Sequence, residues 1–129
     1  MKETGKYKAS AKVYKTALKL DTAKLYQHTI LSNLGKALQF SKRYKKAVKT
    51  YNILIEYDPD YCLAYYNKAR IYALMGNTEL ALENLKKAIE YGKNVVNINP
   101  GEDAKIEPDF DNIRNEKEFH ILLYSPKSK

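Results

Sequence analysis

The sequence predicts an all-α protein: a right-handed α-solenoid of helix–turn–helix repeats that ends in a C-terminal capping helix. Three observations predict it. The chain matches itself at a shift of 34 residues, apolar residues recur at helical spacing within each copy, and Gly, Asn and Pro stand where helices must stop or start. A fixed period in this range marks stacked supersecondary units.

The shift pairs Ile55-Glu56-Tyr57 with the identical Ile89-Glu90-Tyr91. It also pairs Asn33 with Asn67, Ala47 with Ala81, Lys36 with Arg70 and Gly35 with Ala69. Large residues exchange with large ones in most of the remaining pairs, as in Leu31 with Tyr65, Leu38 with Tyr72 and Tyr51 with Leu85. The first unit spans 25–59. Its leading helix carries Leu31, Leu34 and Leu38, and its second helix carries Tyr44, Ala47, Val48, Tyr51, Leu54 and Ile55, both at i, i+3, i+4, i+7 spacing. Ser41, between them, is placed to cap the second helix. Asp58-Pro59-Asp60 ends the unit, because Pro59 lacks an N–H and disfavours helical geometry in Asp58. The second unit spans 60–92. Tyr61, Leu63, Ala64, Tyr65, Ala69 and Tyr72 form its first apolar set, and Leu80, Ala81, Leu85, Ala88 and Ile89 its second. Gly76 between them suits a left-handed helix end, and Asn77 suits the cap of the helix that follows.

Upstream, a shift of 37 aligns Lys6-Tyr7-Lys8 with Arg43-Tyr44-Lys45 and Tyr14 with Tyr51, so residues 5–20 read as the second helix of an earlier half-repeat. A native start at Met1 and a piece of a longer array are both compatible with this. Downstream, 93–109 carries Pro100, Gly101 and Pro108 without a sustained period and reads as mostly loop. Residues 110–125 form the capping segment. There Asn115, with Glu118 three residues on, makes a capping-box-like start for a short helix bearing Phe119, Leu122 and Leu123.

Taken together these units resemble tetratricopeptide repeats. The first supplies Leu31, Leu34-Gly35, Leu38, Ala47, Tyr51, Leu54 and Pro59 in the register of that family; the second supplies Tyr65, Ala69, Tyr72, Ala81, Leu85 and Ala88. It departs with Lys68 where Leu is usual and Lys93 where Pro is usual. The run from Pro108 to Leu123 resembles the ending found after many microbial arrays of this family, matching at Phe110, Ile113, Phe119, Leu122 and Leu123. That resemblance implies a lid whose five apolar residues bury against 78–91.

Composition narrows the function. The 129 residues are 44% hydrophobic and 29% charged, which is ordinary for a globular chain and allows one compact domain. Apolar runs are far shorter than the ~20 residues of a membrane span, and the first residues lack the apolar stretch of a secretory leader. Cys62 stands alone, so no internal disulfide forms; a cytoplasmic location is expected. The net charge of +8 is uneven: residues 1–60 hold 13 Lys and Arg against 5 Asp and Glu, residues 61–129 hold 10 against 10.

Chemistry-bearing motifs are lacking. His28 and His120 have no ligand-spaced neighbours, Cys62 has no CxxC partner, and no phosphate loop or nucleophile elbow occurs. The acidic run Glu102-Asp103, Glu107, Asp109, Asp111 lacks the alternation of a calcium loop and reads as solvated. No catalytic residue, cofactor or metal is expected, and the protein is read as no enzyme.

The family resemblance implies a concave groove lined by the first helix of each pair. Its residues here are Thr29, Ser32, Asn33, Lys36, Gln39 and Phe40, then Leu63, Tyr66, Asn67, Arg70 and Leu74. The expected function is binding of a protein or peptide partner in that groove, as an adaptor, scaffold or co-chaperone-like module. A Lys–Asn–Arg carboxylate clamp, known in some members, is matched only by Asn67 and Asn33. Two alternatives stay open: an accessory or regulatory domain of a larger enzyme or secretion complex, and nucleic-acid binding through the basic N-terminal half. A monomer or weak homodimer is expected, with the apolar stripe Tyr7, Ala11, Tyr14, Ala17 and Leu18 as the associating face. Charge reversal at Lys36 and Arg70 together is expected to abolish binding without changing the melting temperature.

Overall fold

A computed structural model of the chain describes residues 27–124, so the half-repeat at 5–20, its associating stripe and the start of the first unit lie outside the described residues. Every regular element among the described residues is helical. The chain falls into two compact units, 1–59 and 60–129, each taken by itself below.

In the first unit α1 (Gln27–Phe40) packs against α2 (Tyr44–Tyr57). Leu31, Leu34, Leu38, Ala47, Tyr51 and Leu54 are buried between them, as the periodicity predicts. His28 Nε2 lies 3.0 Å from Asp58 Oδ2, tying the start of α1 to the end of α2. The turn differs from expectation. Ser41 does not cap α2; its hydroxyl donates back to the Leu38 carbonyl at 3.0 Å and closes α1. Lys42 takes the left-handed conformation (φ 64°), and Arg43 stands at the N-cap of α2 without a side-chain bond. A hydroxyl that precedes the cap position by two residues is spent on the helix it follows.

In the second unit α3 (Cys62–Leu74) pairs with α4 (Thr78–Gly92). Gly76 adopts φ +80°, and the Asn77 side chain accepts from the Leu80 N–H at 3.1 Å, both as read from the sequence. Lys68, the departure from the family pattern, is half-buried there; burial and the neighbouring Lys87 push its pKa down, against the pull of Glu83.

The segment expected to be loop over 93–109 is irregular only to Asn99. Pro100–Ile106 forms α5, followed by a 3₁₀ turn, η1 (Pro108–Ile113), and α6 (Lys117–Tyr124). Asn99 accepts from the Glu102 N–H at 3.1 Å, Pro100 occupies the first turn, and Glu102 and Asp103 face the positive helix end. Start signals were present, but seven residues are too few to show a period. Arg114 closes the stop: its guanidinium donates to the carbonyls of Ala104, Lys105 and Glu107. The helix after it starts at Lys117, with the Glu116 carbonyl accepting from His120, so the capping box placed at Asn115 sits too early.

Phe110, Ile113 and Phe119 are fully buried in this unit, whereas Leu122 and Leu123 are half-buried. The covering segment is not confined to α4. Phe110 meets the ring of Tyr66 on α3 edge-on, with centroids 5.8 Å apart.

Candidate functional site

The first helix of each unit supplies the residues read as a binding face, and the two helices fare differently. On α1 the apolar residues face α2, which leaves Thr29, Lys36 and Phe40 exposed and Ser32 and Asn33 half-buried along one stripe. Phe40 keeps half its surface in solvent. Gln39 does not belong to the stripe: it is 5% exposed, so its amide lies inside rather than at the surface.

On α3 the corresponding face is covered by the chain itself. The Arg70 guanidinium meets Asp109 Oδ2 from both Nε and Nη2 at 2.9 Å, lies 3.6 Å from Glu107 Oε1, and donates from Nη1 to Asn67 Oδ1 at 3.1 Å. Asn112 Nδ2 donates to the Ala73 carbonyl at 3.3 Å. Tyr66 and Asn67 are more than nine-tenths buried, and Leu63 and Leu74 are half-buried. Arg70 therefore acts as an internal anchor of the covering segment, and Asn67 accepts from it on the same helix. The acidic run read as solvated supplies the carboxylate partners of Arg70, Glu107 and Asp109. Periodicity copies a position from one repeat to the next but carries no information on what covers it, and contacts 37 to 39 residues apart in sequence fall on no repeat.

The Tyr66 hydroxyl shows the electrostatics of this cover. Burial, then the Glu107 carboxylate, push its pKa well above the ordinary tyrosine value, with Arg70 acting the other way. Among the described residues no group of His, Cys, Asp and Glu is placed to hold a metal ion, and no helix is long and apolar enough to cross a membrane.

Two family models, each described as tetratricopeptide repeat, match the chain, one over residues 28–61 and the other over 50–83. Their offset frames follow from a period whose starting point is arbitrary. The DnaJ homolog subfamily C member 3 of Bos taurus is 35% identical over 57 residues, which cover 44% of this chain and 11% of that protein. The chain thus spans about a tenth of the length of this relative. No solved structure matches the chain.

Proposed function

Residues 28–83 of this chain are tetratricopeptide repeats, a protein-interaction architecture, and from that premise we propose that the chain binds a protein or peptide partner on the α1 face of its first unit. The observation that supports this is the division of α1 into a buried set, Leu31, Leu34 and Leu38, and an open stripe of Thr29, Ser32, Asn33, Lys36 and Phe40. Spacings of three and four residues keep the stripe on one side of the helix. It combines a cation for carboxylates, an amide for peptide N–H and C=O groups, and an aromatic ring for an apolar anchor. On α3 the equivalent cation and amide, Arg70 and Asn67, already have partners, so the first unit carries the recognition in this reading.

Likeness to part of a DnaJ homolog supports a co-chaperone-like adaptor role. The test is affinity capture with the full chain, using Lys36→Glu and Phe40→Ala, with Lys86→Glu on exposed α4 surface as control. The expected outcome is a partner held by wild type and control and lost from both α1 variants. Equal capture by all four proteins would sink the proposal.

A further inference from the structure

The covering segment creates a second feature where it meets α3. A pocket of about 300 Å³ opens there, lined by Tyr66, Asp103, Ile106, Glu107 and Pro108. Its walls have two characters. Ile106 is 82% exposed at the end of α5 and, with Pro108 and the Tyr66 ring, offers apolar surface. Asp103 and Glu107 offer carboxylates. Glu107 is held in place, Oε2 accepting from the Asp109 N–H at 3.2 Å and Oε1 lying near Arg70. The Asp103 carboxylate has no ion-pair partner among the described residues and is exposed.

The hydroxyl of Tyr66 is buried and makes no hydrogen bond, the one side-chain polar atom among the described residues left in that state. It sits in the combined field of Glu107, Asp103 and Asp109, offset by Arg70. A buried hydroxyl without a partner is rare in a folded protein, and this one lies beneath the pocket wall in a net-negative surround that favours a cation at the pocket above it. An exposed aliphatic residue beside carboxylates is what the methylene stem and charged head of a long basic side chain would cover together.

We infer that this pocket receives a lysine or arginine side chain of a partner polypeptide, its methylenes on Ile106, Pro108 and the Tyr66 ring and its charged head at Asp103 and Glu107. The site differs from the α1 stripe in residues and in the sign of charge it selects, so each stands or falls by its own variants.

The experiment is an NMR titration of the isotope-labelled full chain with acetyl-Gly-Lys-Gly-amide, acetyl-Gly-Arg-Gly-amide and, as uncharged stem, acetyl-Gly-norleucine-Gly-amide. Saturable shifts are expected at Tyr66, Asp103, Ile106 and Glu107 with either basic peptide. Affinity should fall roughly fivefold, the upper end for an exposed ion pair, in Asp103→Asn and with the norleucine peptide. Ile106→Ser should weaken binding as well. Both substitutions lie at exposed positions, and spectra that superpose elsewhere verify the fold. Absence of saturable shifts in the folded wild type, or equal affinity for the norleucine peptide or in Asp103→Asn, overturns the assignment.

Discussion

Gly35 is where one atom decides the packing of the first repeat. A Cβ at this position would lie 2.5 Å from Tyr51 Cζ and 2.6 Å from Cε2, well inside the ~3.5–4 Å at which carbon atoms meet. The matched pair in the second repeat is Ala69 with Leu85, so one repeat joins no side chain to a large ring and the other joins a methyl to a smaller aliphatic. Gly35→Ala would gain about 1 kcal/mol in helix propensity. Overpacking costs about 1–3 kcal/mol or more, and a clash this deep belongs at the upper end. A net loss of roughly 2 kcal/mol in denaturant unfolding is expected. The double variant Gly35→Ala, Tyr51→Leu, which installs the second repeat's pair, should lose clearly less than the sum of the single losses. Strict additivity would show that the ring is not what excludes the methyl.

The helices of the two repeats were legible from the 34-residue period and the punctuation at Pro59, Gly76 and Asn77, with a buried stripe on α1, α2 and α4, whereas α3 is buried nearly all round. What lay hidden follows from short length and long range. The α5 helix has seven residues and so no period, although Asn99, Pro100 and Glu102 announce its start. That the α1 residues of the candidate site, apart from Gln39, lie toward solvent was legible, since an exposed stripe is the complement of a buried one. The α3 half was not, because Arg70 finds Asp109 through tertiary packing. This separates two cations that the repeat makes equivalent. Lys36→Glu is expected to leave unfolding unchanged, its side chain being exposed. Arg70, with a side chain 19% exposed, holds two carboxylates and an amide. Arg70→Ala should cost roughly 2–3 kcal/mol, the range for charge-assisted bonds whose partners are left behind. Faster amide exchange at 107–113 would accompany the loss. A melting curve equal to wild type would mean that the Asp109 contact contributes nothing.

At the scale of the whole chain, the two compact units divide the work of charge and of cover. The excess of basic residues lies in 1–60, whereas 61–129 balances its charges and spends several of them on attaching its own last third to α3. In an array of repeats each unit is normally covered by the next, and a terminal unit needs a substitute. Here α5, η1 and α6 pack on the second unit, with Phe110, Ile113 and Phe119 fully buried, and we propose that they serve as such a cover. Each such side chain contributes about 1.5–3 kcal/mol when withdrawn from water, so three of them amount to much of the ~5–15 kcal/mol that keeps a domain folded. Truncation after Gly92 removes all three and uncovers Tyr66 and Ala73 on α3. The truncated chain should aggregate, or unfold at a far lower temperature with its α3 and α4 amides exchanging freely. Light scattering and a melting curve read this directly. A monomeric truncation that melts where the full chain melts would show that α3 and α4 complete a core without the segment, and that its contacts to Arg70 and Tyr66 are incidental to stability.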